Sequence, residues 1–142
     1  MTAVSWQLWA LLSAVFAALT TILGKVGVEG VDPDVATFIR TLVIVVVLGG
    51  LLLMTGQKVG TIPIRSYMFL GLSGLATGAS WLCYFRALKL GDAAQVAPLD
   101  KLSVVLVAVF AVIFLGERLT LRDAAGIALI TVGAVLVATG RV

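Results

Sequence analysis

Five stretches of this chain are each apolar over about the 20 residues a helix needs to cross a bilayer, and no other feature restricts its folding as much. They run from about Trp6 to Gly24, Pro33 to Met54, Ser66 to Leu88, Ala93 to Leu115 and Leu121 to Gly140. Hydrophobic residues make up 61% of the sequence and charged residues 12%, against about 25% charged in an ordinary soluble domain. So short a chain cannot hide that much apolar surface in one water-facing core. The expected fold is an all-α integral membrane protein, a compact bundle of five transmembrane helices in which residues 1–142 form a single domain.

The residues between the runs support these cuts. Asp32 followed by Pro33 supplies an N-cap and a proline at the first helical position, and Gly56 follows the second run. Asp92 with Gln95, and Thr120 with Asp123, have capping-box spacing. Gly91 and Gly116 close the third and fourth runs and leave short connections, so the last three spans are expected as antiparallel neighbours. The first run is expected as a retained helix, because Met1 to Gln7 holds no Lys or Arg and no cleavage pattern ends the run.

Small residues recur at helical spacing: Ala10, Ala14 and Ala18, then Gly74 and Gly78, then Ala134 and Ala138. In lipid such stripes let helices approach closely, within one chain or between two. Cys83, the single cysteine, is expected as a small packing residue. The sequence has no histidine and its acidic residues are scattered, which argues against a Zn or Fe site, and no cofactor is implied. Nor is there a nucleophile with its base, so an enzyme is not expected. The formal charge of +3 comes from short clusters between the apolar runs, as expected of loops at a bilayer rather than of a nucleic-acid-binding patch.

Five spans sort the basic residues onto two faces. Lys58, Arg65, Arg118 and Arg122 fall on one, and Lys25, Arg86, Lys89 and Arg141 on the other, with Arg40 and Lys101 inside helices that start from the second face. So weak a bias allows insertion in both orientations. With an odd number of spans, an inverted homodimer would supply the symmetry that many transporters carry within one polypeptide.

The fourth run raises a separate question, because "VAPLDKLSVVLV" (Val96–Val107) sets Asp100 and Lys101 in an otherwise apolar segment. At 1.5 Å per residue, Arg40 and Asp100 both lie about 10 Å into their helices from the same face. Neighbours on a helix point about 100° apart, which makes Lys101 a poor partner for Asp100 and Arg40 a better one. Unpaired, either charge costs several kcal/mol in hydrocarbon, so both are expected to face the bundle interior or a wet cavity. A fourth helix beginning at Pro98 would instead make Asp100 an interfacial first-turn carboxylate. Arg86 and Lys89 are expected to snorkel to the surface. Inside the helix, Pro98 frees the carbonyl of Ala94 and breaks the axis beside the charges, a combination found at transport sites. Ser103 adds a hydroxyl one turn from Asp100. Trp81 and Tyr84, by default interfacial anchors, are deep enough to line a cavity.

The segment "WLCYFRALKLGDAAQVAPLDKLSVVLVAVFAVIFLGERLT" (Trp81–Thr120), with the last helix "GIALITVGAVLVATG", closely resembles the EamA-type domain of the drug/metabolite transporter superfamily. The "LGK" ending the first helix and the "FIRTLV" of the second also fit, so the resemblance spans essentially the whole chain. It implies a secondary transporter of small polar or amphipathic metabolites, in a prokaryotic inner (cell) membrane. Larger members carry two such domains, ten helices in inverted halves around a central cavity. This chain resembles the single-domain, five-helix branch, which implies a partner, most simply a second copy. Small multidrug-resistance proteins of the same superfamily carry a proton-coupling glutamate in their first helix, where this sequence has Phe16 or Ala17. If transport is proton-coupled, Asp100 is the one carboxylate deep enough to propose.

The expectation is therefore alternating access in a dimer of five-helix protomers, possible in antiparallel form. Arg40, Asp100, Lys101 and Ser103 would form a polar floor or gate, Trp81 and Tyr84 an apolar wall, and Pro98 the helix break. Flipping of a lipid or lipid-linked solute, and a non-transporting assembly subunit, are the alternatives.

Overall fold

A computed structural model describes residues 5–56, 60 and 62–140. Lys58 and Arg141, which enter the charge count above, lie outside the described residues. The elements are α1 (Trp6–Gly27), α2 (Pro33–Thr55), α3 (Ile64–Leu90), α4 (Ala93–Asp100), α5 (Ser103–Phe110), a π-helical turn (Ala111–Leu115) and α6 (Leu121–Thr139). Taken with α4, α5 and the π turn as one segment, they give five spans long and apolar enough to cross a membrane, and no strand occurs among the described residues. The all-helical, five-span expectation holds, with ends that differ from the sequence-based ones by three residues or fewer.

Local chemistry explains most of these ends. Asp32 Oδ1 accepts from the backbone N–H groups of Asp34 (2.9 Å) and Val35 (3.3 Å), which satisfies two of the donors a helix start leaves open. Thr120 and Asp123 form a complete capping box at the start of α6. At the end of the fourth span, Gly116 adopts φ 68° and returns its N–H to the carbonyl of Ala111, a left-handed turn that glycine makes without a Cβ penalty. Two expectations fail in detail. Asp92 occupies the N-cap position of α4 but forms no side-chain cap bond, and Gly91 ends α3 without entering the left-handed region.

The fourth span is not one uninterrupted α-helix. Its i→i−4 pattern stops after Asp100, and tighter bonds take over: Lys101 N to Pro98 O and Leu102 N to Leu99 O, both 3.1 Å. The helix runs through Pro98, and the irregularity falls just beyond it. Five residues of wider π-helical winding end the same span, so it combines one tightened and one widened segment.

The chain divides into two compact units. One contains residues 1–22 and 90–142, the other residues 23–89. In the first unit the closest helix pairing is α4 against α6, with α5 touching α6 less extensively. Ala134, from the expected small-residue stripe of α6, is buried, as is Ala111. Small side chains let backbones approach where no hydrophobic force drives association.

In the second unit the core is Val28, Phe85 and Leu88, with Thr37 buried beside them. Gly24 admits this packing: a Cβ there would lie 3.2 Å from Cζ of Phe85. Three charged groups tie the same end of the unit. Arg86 grips Asp34 in a bidentate pair (Nε–Oδ1 3.0 Å, Nη2–Oδ2 2.7 Å), Lys89 Nζ donates to the carbonyl of Val31 at 3.1 Å, and Lys25 Nζ to that of Leu88 at 2.7 Å. The Lys25 bond places a cation on one of the carbonyls that the end of α3 leaves open. Arg86 and Lys89 are therefore not simple snorkelling chains. Their exposed head groups cross-link segments more than fifty residues apart in sequence.

Candidate functional site

Arg40 lies on α2 and meets α3. Its guanidinium carbon sits 2.7 Å from the centroid of the Trp81 ring and 5.4 Å from that of Phe85. A cation over an aromatic face is attracted by the ring quadrupole, by ~2 kcal/mol or more when water is excluded. Rings offer no oxygen lone pair, however, and Nη1 of Arg40 is buried with no hydrogen-bond partner among the described residues. Trp81 also lines a cavity of about 390 Å³, together with Thr41 and Ile44 from α2 and Leu70, Ser73, Gly74, Thr77 and Gly78 from α3. That volume is within the range of small-molecule pockets.

The hydroxyls here are partly committed. Thr41 Oγ1 donates to the carbonyl of Thr37 and Thr77 Oγ1 to that of Ser73, both at 2.8 Å. Their lone pairs remain as acceptors.

Within its own unit, the site expected around Asp100 has a different character. Lys101 Nζ lies 3.3 Å from Asp100 Oδ2, which corrects the expectation that these neighbours would not pair. The four-carbon stem of lysine is flexible enough to bring its ammonium back across the angular separation. Pro98 and Lys101 line a groove of about 470 Å³ whose other wall is α1, through Ala10, Ser13, Ala14, Ala17, Ala18, Thr21 and also Ala97 of α4. Asp100, Lys101 and Ser103 are exposed.

The candidate residues thus fall into two sets. Arg40 and Trp81 are brought together in the second unit, where Tyr84 is half-buried on α3 but does not line the cavity beside Trp81. Asp100, Lys101, Ser103 and Pro98 belong to the first unit. Sequence reasoning missed Thr41, Ser73, Thr77 and Phe85. The hydroxyl spacing Ser73–Thr77, one helical turn beside Gly74 and Gly78, was the available signal.

Five spans long and apolar enough to cross a bilayer, one of them carrying an arginine beside a cavity, define a multi-pass integral membrane protein. Residues 4–139 match the EamA-like transporter family, and the chain belongs to it. It is 62% identical over 136 residues, 94% of this chain and 96% of the relative, to a Sinorhizobium protein described as an uncharacterized transporter in the cobO 3′ region. No solved structure matches the chain. The bacterial source of the relative accords with a cell (inner) membrane location.

Proposed function

We propose that this protein is a secondary transporter of a small polar or amphipathic metabolite, working by alternating access as a dimer of five-helix protomers inserted in opposite orientations. The observation that carries the reading is the Arg40–Trp81 contact beside a hydroxyl-bearing cavity within predicted spans. A cation held at that depth with no carboxylate paired to it is costly unless it serves a polar ligand or pathway. Family membership supports the same class. The odd number of spans and the near-equal division of Lys and Arg between the faces support the inverted pair. In this reading residues 1–142 act as one domain, no cofactor is used and no covalent chemistry is performed. Asp100, Lys101 and Ser103 contribute polar groups that meet the solute or gate its passage, and Pro98 precedes the irregular turn at which the fourth span bends.

The groove between α1 and α4 favours a second reading. Small, mostly apolar side chains line it together with Lys101, a combination that suits the tail and anionic head of a lipid being flipped.

Two experiments separate these readings. Single cysteines along α3 and α6 of a Cys83→Ser protein, trapped as disulfides in native membranes and labelled from each side, test the dimer. Crosslinks that require opposed protomers, with loops labelled from both sides, are expected; labelling from one side alone would sink the inverted arrangement. In proteoliposomes Asp100→Asn is expected to abolish solute flux while leaving the amount of folded protein unchanged. Intact flux removes Asp100 from the mechanism. Movement of a fluorescent phospholipid between leaflets, without solute flux, favours the flippase, and neither movement favours an assembly subunit.

A further inference from the structure

We propose that the α2–α3 cavity binds a monoanion, a carboxylate or phosphate head with an apolar or hydroxyl-bearing body, and that Arg40 is its counter-charge. The class of solute follows for a transporter, so that extension rests on the reading above; the binding site itself does not.

The charge balance of the second unit carries the argument. Asp34 is occupied by Arg86, and Asp32 caps the first turn of α2. Lys25 and Lys89 each donate to a backbone carbonyl. Arg65, resting on the Phe69 ring, and Glu29 are exposed. Arg40 differs from the other described cations of the unit because no hydrogen bond or ion pair among the described residues engages it and its Nη1 is a buried donor without an acceptor. Guanidinium does not lose its charge in proteins, so deprotonation offers no relief. Trp81 holds the cation without using an acceptor oxygen, and the same ring walls the cavity.

Shape and polarity narrow the ligand. A Cβ built on Gly74 or Gly78 meets nothing within 4 Å, so the small-residue stripe of α3 leaves an open floor instead of a packed seam. Thr41 and Thr77 have committed their hydrogens to backbone carbonyls and offer acceptors along the cavity. Acceptors repel a second anionic group and suit hydroxyl donors or an apolar chain. A bidentate head matches the arginine fork, as carboxylate and phosphate do.

The test uses Trp81 as its own reporter. Of the three tryptophans, Trp6 and Trp9 are replaced by phenylalanine, and the full chain is placed in phosphatidylcholine nanodiscs. Iodide is expected to quench Trp81 several-fold more efficiently than caesium. Hexanoate and propyl phosphate should protect against that quenching, and hexanamide and hexylamine should not. Arg40→Gln should remove the iodide preference and weaken hexanoate protection at least tenfold, with Arg40→Lys intermediate. Gly78→Leu fills the floor while keeping Arg40, so it should abolish protection and retain the iodide preference; gel filtration checks that each variant is folded. Equal protection by hexanamide, or unchanged hexanoate protection in Arg40→Gln, overturns the proposal. Protection without anion flux in liposomes keeps this site and removes the transport reading, whereas flux without protection does the reverse.

Discussion

Arg40 and Trp81, forty-one positions apart, meet with the guanidinium carbon 2.7 Å from the indole centroid. The contact joins α2 to α3 through a charge that hydrocarbon would otherwise penalise by several kcal/mol. If the ring quadrupole holds it there, Trp81→Leu should cost about 2 kcal/mol and Trp81→Phe clearly less, measured by reversible unfolding in one detergent. Equal losses for the two variants would assign the effect to lost packing area instead.

Asp34 and Arg86 should behave as one unit. Their two-bond geometry fixes both distance and orientation, which a single point contact does not. Asp34→Asn and Arg86→Gln are each expected to lower the thermal midpoint, and the double variant to fall no further than the worse single one. Additive losses would mean that the two side chains stabilise the fold through separate neighbours.

Thr120 gives the cleanest test of helix capping. Its hydroxyl accepts from Asp123 N at 3.3 Å, while Asp123 Oδ2 accepts from Thr120 N at 2.9 Å. Thr120→Ala should cost about 1 kcal/mol and Thr120→Ser only a fraction of that. Hydrogen exchange in the first turn of α6 should rise in the alanine variant alone.

Pro98 sets stability against motion. Alanine in a helix interior is favoured over proline by about 3 kcal/mol, so Pro98→Ala is expected to raise the thermal midpoint. If the irregular segment near Lys101 is a hinge of the transport cycle, the same change should lower solute flux. A stabilised variant with full flux would show that the break is not used.

The capping residues Asp32 and Thr120 and the left-handed Gly116 are legible in the sequence because each acts on backbone groups within a few residues of itself. The candidate site was half legible. Arg40 and Trp81 stand out as a deep charge and a deep aromatic, but their meeting depends on how α2 and α3 are turned about their own axes. Lys101 reached Asp100 against the expectation because helical geometry fixes where a side chain begins and not where a long stem ends. Thr41 and Thr77 are not legible in the sequence, because a hydroxyl that back-bonds to its own helix leaves no mark in hydropathy.

By itself, the sequence determined that the chain crosses a membrane, in how many helices and nearly where each begins and stops, because run length and capping are local properties. Only the tertiary structure decided which charge meets which partner. In a soluble helix an apolar stripe reveals the face that turns inward, but lipid tails are as apolar as leucine and impose no such stripe. The rotation of α2 and α3 is set instead by contacts such as Arg40 on Trp81, Arg86 on Asp34 and Phe85 against Gly24, made between residues far apart along the chain.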